Sequence, residues 1–184
     1  ALILLLVNRW APTFHPPTWI HPAIYTGLIL SGLAGVFCSA MLYADTRRPF
    51  WSLNRGLVKF FGTVCILGAA AFFAMDHWQF PVASVLVLVA FSLAKMGFEI
   101  RELAQPSPEI LGSAFLLHGP LGFPSRFRFF CGISGGLLLP VLSLLSEPGK
   151  SLPWLAFTLC LVGELLERAM FFKAVVRWKM PGSP

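Results

Sequence analysis

A chain of 184 residues that is 57% hydrophobic and 12% charged, with a mean hydropathy of +0.75, cannot fold in water without exposing large contiguous apolar patches. Its net charge of +6 belongs to a membrane face, because the basic residues form no nucleic-acid-binding pattern. The four cysteines stand singly at 38, 65, 131 and 160 with no Cys-x-x-Cys, which argues against iron–sulfur or structural zinc ligation by this chain.

Several apolar runs approach the ~20 residues that span ~30 Å of hydrocarbon as a helix. Residues 1–7 are an apolar stub, too short to span and without the basic leader or cleavage site of a signal peptide. It reads as the tail of an earlier helix in an N-terminally incomplete chain. A proline-rich loop follows, with Trp10 and Trp19 suited to an interfacial belt. The first predicted membrane helix is 22–43. Its Gly27, Ser31, Gly35 and Ser39 recur every four residues, a ladder that invites close helix packing. A basic, aromatic loop then carries Asp45, Arg47, Arg48, Trp51 and Arg55.

The second predicted helix, 57–75, has Lys59 in its first turn, and the third is 81–102, with Lys95 and Glu99 near its end. The long loop after it contains Pro106, Pro108, Gly119, Pro120 and Pro124 and a semi-apolar piece, 110–118, suited to the interface. The fourth helix, 127–145, follows Arg126 and contains Arg128, and Pro140 should kink it. The fifth is 152–176. The expected architecture is all-α: one integral membrane domain over 1–184, a polytopic transmembrane helical bundle of five membrane helices plus the tail of an earlier one.

The fifth helix carries Gly163-Glu164-Leu165-Leu166-Glu167-Arg168 near its middle. A charge at such depth costs roughly 2.5–3.5 kcal/mol on insertion scales unless it is paired or faces a polar cavity. Glu164 and Arg168, four apart, share a face and can pair within the helix. Glu167 needs a partner from elsewhere, and Lys95 with Glu99 is predicted to meet Glu167 or Arg168 across the helix interface. The plain alternative is a structural ion pair that glues this helix to a neighbour.

Haem between helices needs facing histidines inside the bilayer. His15, His21, His77 and His118 all fall in loops or at helix ends, so no haem is expected. Ionisable groups from five helix ends instead gather at one level. With alternating helix directions, that level holds twelve of the fourteen Lys and Arg residues, against Arg9 and Lys150 on the other side. By the positive-inside rule the basic side, with the C-terminus, is cytoplasmic. Such a cluster suits the docking of a charged extramembrane subunit, through Arg47, Arg48, Arg126 and Arg128. It also suits acceptance of protons from an oxidised quinol by Glu164, Glu167 or Glu99, with Arg168, Lys95 and Lys59 lining the pocket or forming ion pairs. His118 is a weaker candidate acceptor. Spacing alone does not choose between these jobs.

Several stretches carry a family resemblance. They are Val36-Phe37-Cys38-Ser39-Ala40-Met41-Leu42-Tyr43 with Thr46-Arg47-Arg48-Pro49-Phe50-Trp51, Lys59-Phe60-Phe61-Gly62-Thr63, Lys95 with Glu99, Gly135-Gly136 with Leu139-Pro140, and Gly163 to Arg168 followed by Phe171-Phe172. In this order and spacing they resemble the membrane-anchor subunit of dimethyl sulfoxide reductase-type molybdoenzymes, from about residue 30 onward. The match to polysulfide reductase-type anchors is weaker. The resemblance implies the second half, helices four to eight, of an eight-helix, haem-free subunit of a bacterial or archaeal cytoplasmic membrane. That subunit oxidises menaquinol in anaerobic respiration and holds two partners, an iron–sulfur electron-transfer subunit and a molybdopterin catalytic subunit. Molybdenum and the iron–sulfur clusters then belong to the partners. The family's own quinol-site residues lie largely in the earlier helices, so the quinol assignment here rests on the charged groups at equal depth. The alternatives are a purely structural tether for such a complex and a proton-coupled secondary transporter. Between the halves of this chain there is no inverted repeat of the kind many transporters show.

Overall fold

The computed structural model describes residues 20–46, 48, 51–76, 81–106, 111–145 and 151–174. The N-terminal stub, the Trp10–Trp19 loop, Arg47, His15, His77 and the basic tail after Ala174 lie outside the described residues. Those described are helical, with no strand. In chain order they form α1 (Ile20–Asp45), α2 (Leu53–Asp76), α3 (Pro81–Ala104), the short α4 (Leu111–His118), α5 (Gly122–Leu145) and α6 (Ser151–Lys173). Four of them, α1, α2, α3 and α5, are long and apolar enough to cross a membrane. The predicted fifth span corresponds to α6, whose run is interrupted by Glu164, Glu167 and Arg168.

The ends of the elements differ from the predicted ones for local reasons. α2 starts at Leu53, so Asn54 and Arg55 join its first turn. α5 starts at Gly122 rather than 127. Gly119, Pro120 and Pro124 signal a loop, yet Pro124 is the third residue of the helix, where its missing N–H belongs to the first-turn donors that have no partner anyway. The piece expected along the interface is helix α4. Pro140 disturbs α5 through a π turn just upstream, Ser134–Leu138. Pro140 offers no N–H to the carbonyl of Gly136, and the Leu139 N–H reaches back five residues to the Ser134 carbonyl.

The core sits where α2, α3 and α6 meet. Phe73 and Leu88 are fully buried there, with Ile66, Ala70, Val85, Ala156 and Cys160. In lipid such packing works through close contact rather than exclusion of water, and small residues supply it. A Cβ on Gly135 would meet the Ala156 carbonyl at 2.8 Å and the Cys160 nitrogen at 2.9 Å, and one on Gly136 would meet the Ser92 Cβ at 2.8 Å. Those two glycines therefore set how near α5 comes to α6 and α3.

α1 leans on α2, with Ala40 buried against Gly56. Most of its remaining surface is exposed, Leu28, Ile29, Leu30 and Leu42 included. The predicted packing ladder behaves differently from expectation. Nothing among the described residues approaches within 4 Å of a Cβ built on Gly27 or Gly35, while Ser31 and Ser39 bond to carbonyls of their own helix. No described helix stands on that side.

An aromatic cluster closes one end of the bundle. Tyr43, Trp51, Phe60, Phe171 and Phe172 pack with ring centroids 5.4–6.3 Å apart. The Trp51 indole N–H donates to the Phe171 carbonyl at 3.0 Å, tying the α1–α2 connection to the end of α6. The ends of α1, α3 and α6 thus meet the starts of α2 and α5, as helices running alternately up and down require.

Candidate functional site

Below the aromatic cluster lies a buried charge network, built on one face each of α3 and α6 and joined by Thr63 of α2 and Arg128 of α5. On α3, Lys95, Glu99 and Glu102 recur at i, i+4 and i+7 and so form one stripe. On α6, Glu164 and Glu167 lie on the same buried stripe as Ala156, Cys160, Gly163 and Met170. α5 packs closely on α6 at Gly163, where a Cβ would stand in ordinary contact with Cys131 at 3.4 Å and the Arg128 carbonyl at 3.6 Å. That approach brings the Arg128 guanidinium to the α6 carboxylates.

The Lys95 ammonium is satisfied completely. It has three N–H donors and three acceptors: Glu164 Oε2, Glu167 Oε2 and the Thr63 hydroxyl at 3.2 Å. Thr63 is a second hub. It accepts from Lys95 and, at 3.2 Å, from Arg168. Its one proton has Glu164 Oε2 at 2.6 Å and the Lys59 carbonyl at 2.9 Å as acceptors. Arg128 donates to Glu99 Oε2 and stands 3.7 Å from Glu167 Oε2. Lys95 and Arg128 interleave with the carboxylates, and no three His, Cys, Asp or Glu side chains among the described residues converge to hold a metal. The buried set of Lys95 and Arg128 against Glu99, Glu164 and Glu167 carries two positive and three negative charges.

Two carboxylate oxygens in this set, Glu99 Oε1 and Glu167 Oε1, are buried without a hydrogen-bond partner. Both residues line one cavity of about 40 Å³, together with Lys59, Glu102, Ser125 and Arg128. A water needs on the order of 10–15 Å³ of such room and two to four polar neighbours, so the cavity takes roughly three. At its outer side Arg55 pairs with Glu102 at 2.9 Å, and Lys59 lies 3.9 Å from the other Glu102 oxygen. A second cavity of about 30 Å³ is lined by Ser92, Lys95 and Glu164; the buried Ser92 hydroxyl has no hydrogen-bond partner in the structure. A third feature is an open apolar groove of about 420 Å³ between α3 and α5, edged by His118.

The structure brings Glu99, Glu164, Glu167, Lys95 and Arg128 into one cluster, with Lys59 and Arg168 at its border. Of the predicted pairing of Lys95 and Glu99 with Glu167 or Arg168, the contact of Lys95 with Glu167 is present, while Glu99 pairs with Arg128 of α5 instead. The predicted pairing of Glu164 with Arg168 is replaced. Glu164 turns to Lys95, while Arg168 lies over the Phe60 ring at 3.7 Å and reaches Thr63. The buried ammonium on α3 offers a closer partner than a guanidinium one turn along the same helix. Arg128, grouped by sequence with the docking arginines, points inward. Arg126 is exposed and Arg48 stands 5.0 Å over the Trp51 ring. Thr63, Glu102 and Arg55 are additional polar members, and the spacing of Glu102 from Lys95 and Glu99 already put it on their stripe.

No family model, curated protein or solved structure matches the chain.

Proposed function

We propose that this chain is a haem-free membrane-anchor subunit that oxidises a quinol, menaquinol by the sequence resemblance, for a molybdopterin oxidoreductase. In this reading α6 is a fifth membrane span. Its charges face inward, and Leu155, Leu165 and Phe172 face lipid. The basic face is cytoplasmic and carries Arg48 and Arg126 toward an iron–sulfur partner, which in turn serves the catalytic subunit.

The observation that carries the reading is the cavity with two unpartnered, buried carboxylate oxygens. Oxidation of a quinol to a quinone releases two electrons and two protons. The electrons leave to the iron–sulfur partner. The protons need acceptors that sit out of bulk water yet communicate with it. Glu99 and Glu167 meet the first need, and a water-sized cavity reaching Glu102 and Lys59 meets the second.

The second reading is a structural tether, favoured by the complete satisfaction of Lys95. Purification through this chain in mild detergent, with metal analysis and an absorption spectrum, tests the assembly: molybdenum or tungsten with iron and no haem absorbance supports it. Glu99→Gln and Glu167→Gln then separate the readings. Assembly with quinol oxidation slowed by about 10²-fold or more, the scale of a lost general base, supports proton acceptance. Full turnover in both variants leaves the tether.

A further inference from the structure

The ring of a quinol cannot enter the 40 Å³ cavity, so on the quinol reading it must lie elsewhere. α3 presents a second stripe beside its charged one: Met96, Ile100 and Leu103 run parallel to Lys95, Glu99 and Glu102, each one residue along. This stripe and Phe129 and Ile133 of α5 form the walls of the apolar groove. Its volume, about 420 Å³, lies in the range of small-molecule sites.

One polar ring stands at its edge. His118 Nδ1 lies 2.9 Å from the Ala114 carbonyl. A carbonyl only accepts, so Nδ1 carries a proton, and in its neutral form the ring offers Nε2 as a lone-pair acceptor. The groove is also only one side-chain layer from the charge network. Leu103 lines both it and the Glu99–Glu167 cavity, and Met96 and Phe129 line both it and the Lys95–Glu164 cavity.

We propose that this groove seats the ring of an isoprenoid quinol, with one ring hydroxyl donating to His118 Nε2 and the tail running along Ile100 and Ile133 into lipid. The proposal rests on the quinol reading and gives it a location. An acyl chain of a phospholipid would fill the same walls but would offer no hydroxyl donor to the imidazole.

The test uses the chain in phosphatidylcholine nanodiscs and the fluorescent quinol analogue 2-heptyl-4-hydroxyquinoline N-oxide, with binding read by quenching. Ile133→Trp fills the groove and should abolish saturable binding. His118→Phe removes the acceptor and should weaken binding by about tenfold, the loss of one hydrogen bond. Met75→Trp, on an exposed residue away from the groove, should change nothing. Thermal melts confirm that each variant is folded, and Ile133→Leu replaces Ile133→Trp as a mild control. Saturable binding that survives both Ile133→Trp and His118→Phe would overturn the groove and leave the quinol reading standing. Binding lost in Ile133→Trp but untouched in His118→Phe would overturn the hydrogen bond and mark an apolar-chain site. A wild-type chain that never saturates would sink the groove and the quinol reading together.

Discussion

Replacing Lys95 by Met tests the network at its centre. The side chain is 4% exposed and fills all three of its hydrogen bonds. Without it Glu164 keeps only the Thr63 hydroxyl at 2.6 Å, and Glu167 keeps Arg128 at 3.7 Å. The buried set moves from one excess negative charge to two, with the Glu164 and Glu167 side chains 9% and 5% exposed. Breaking a buried pair from one side costs about 3–5 kcal/mol. At about 4 kcal/mol the unfolding equilibrium shifts roughly a thousandfold. Reversible unfolding in mixed dodecylmaltoside–SDS micelles, followed by circular dichroism, measures it. The combination Lys95→Met, Glu164→Gln, Glu167→Gln removes the orphaned charges and should recover most of the loss, since a neutral interior of similar volume is tolerated. A Lys95→Met loss below about 1 kcal/mol, or a triple variant no better than the single one, would refute the account of an ion-paired interior.

Thr63→Val leaves Lys95, Arg168 and Glu164 each one partner short and should lose about 1–2 kcal/mol, recovered by Thr63→Ser in the same unfolding assay. Gly135→Ala forces a methyl against the α6 backbone and should cost about 1–3 kcal/mol. Gly35→Ala meets open space and should be neutral or gain up to about 1 kcal/mol from helix propensity, and paired thermal melts compare the two. Glu102→Gln removes a partly exposed partner of Arg55 and should change stability by less than about 1 kcal/mol. Stopped-flow quinol oxidation should slow in the same variant if protons leave through the cavity mouth.

Much of the fold was legible because a bilayer leaves a chain few choices. Long apolar runs in a bilayer must be helices, and the carboxylates in the apolar run of α6 needed partners from another helix. Hence the predicted meeting of Lys95 with Glu167 across two helices is present. Less legible were choices between partners of equal charge. Glu164 has Arg168 at the favoured i+4 spacing, yet Lys95 takes it because interhelical packing delivers an ammonium that the sequence cannot place. Arg128 looks like a helix-start cation and becomes interior because α5 packs directly on α6, bringing its guanidinium to Glu99 and Glu167. The start of α5 hid behind Pro124, since a proline signals a loop until its place in the first turn is known. The groove was not legible because its walls come from two different helices whose facing sides packing alone decides, with His118 at the end of a helix that composition marked only as semi-apolar.

The π turn in α5 acts like a frameshift in three dimensions. It adds one residue beyond the α repeat, so everything after it is turned by about 100° relative to an unbroken helix. Arg128, Cys131 and Gly135 mark the inner face of the first half; continued regularly, that face would pass through Leu138 and Leu142. Both are instead exposed, while Gly136, Pro140 and Ser143 are buried. One helix therefore shows the bundle two different faces. Its first half lends a cation to the charge network, and its second half packs Gly136, Leu139, Pro140 and Ser143 into the bundle. A single inserted position lets one continuous span serve polar chemistry at one depth and tight packing at another.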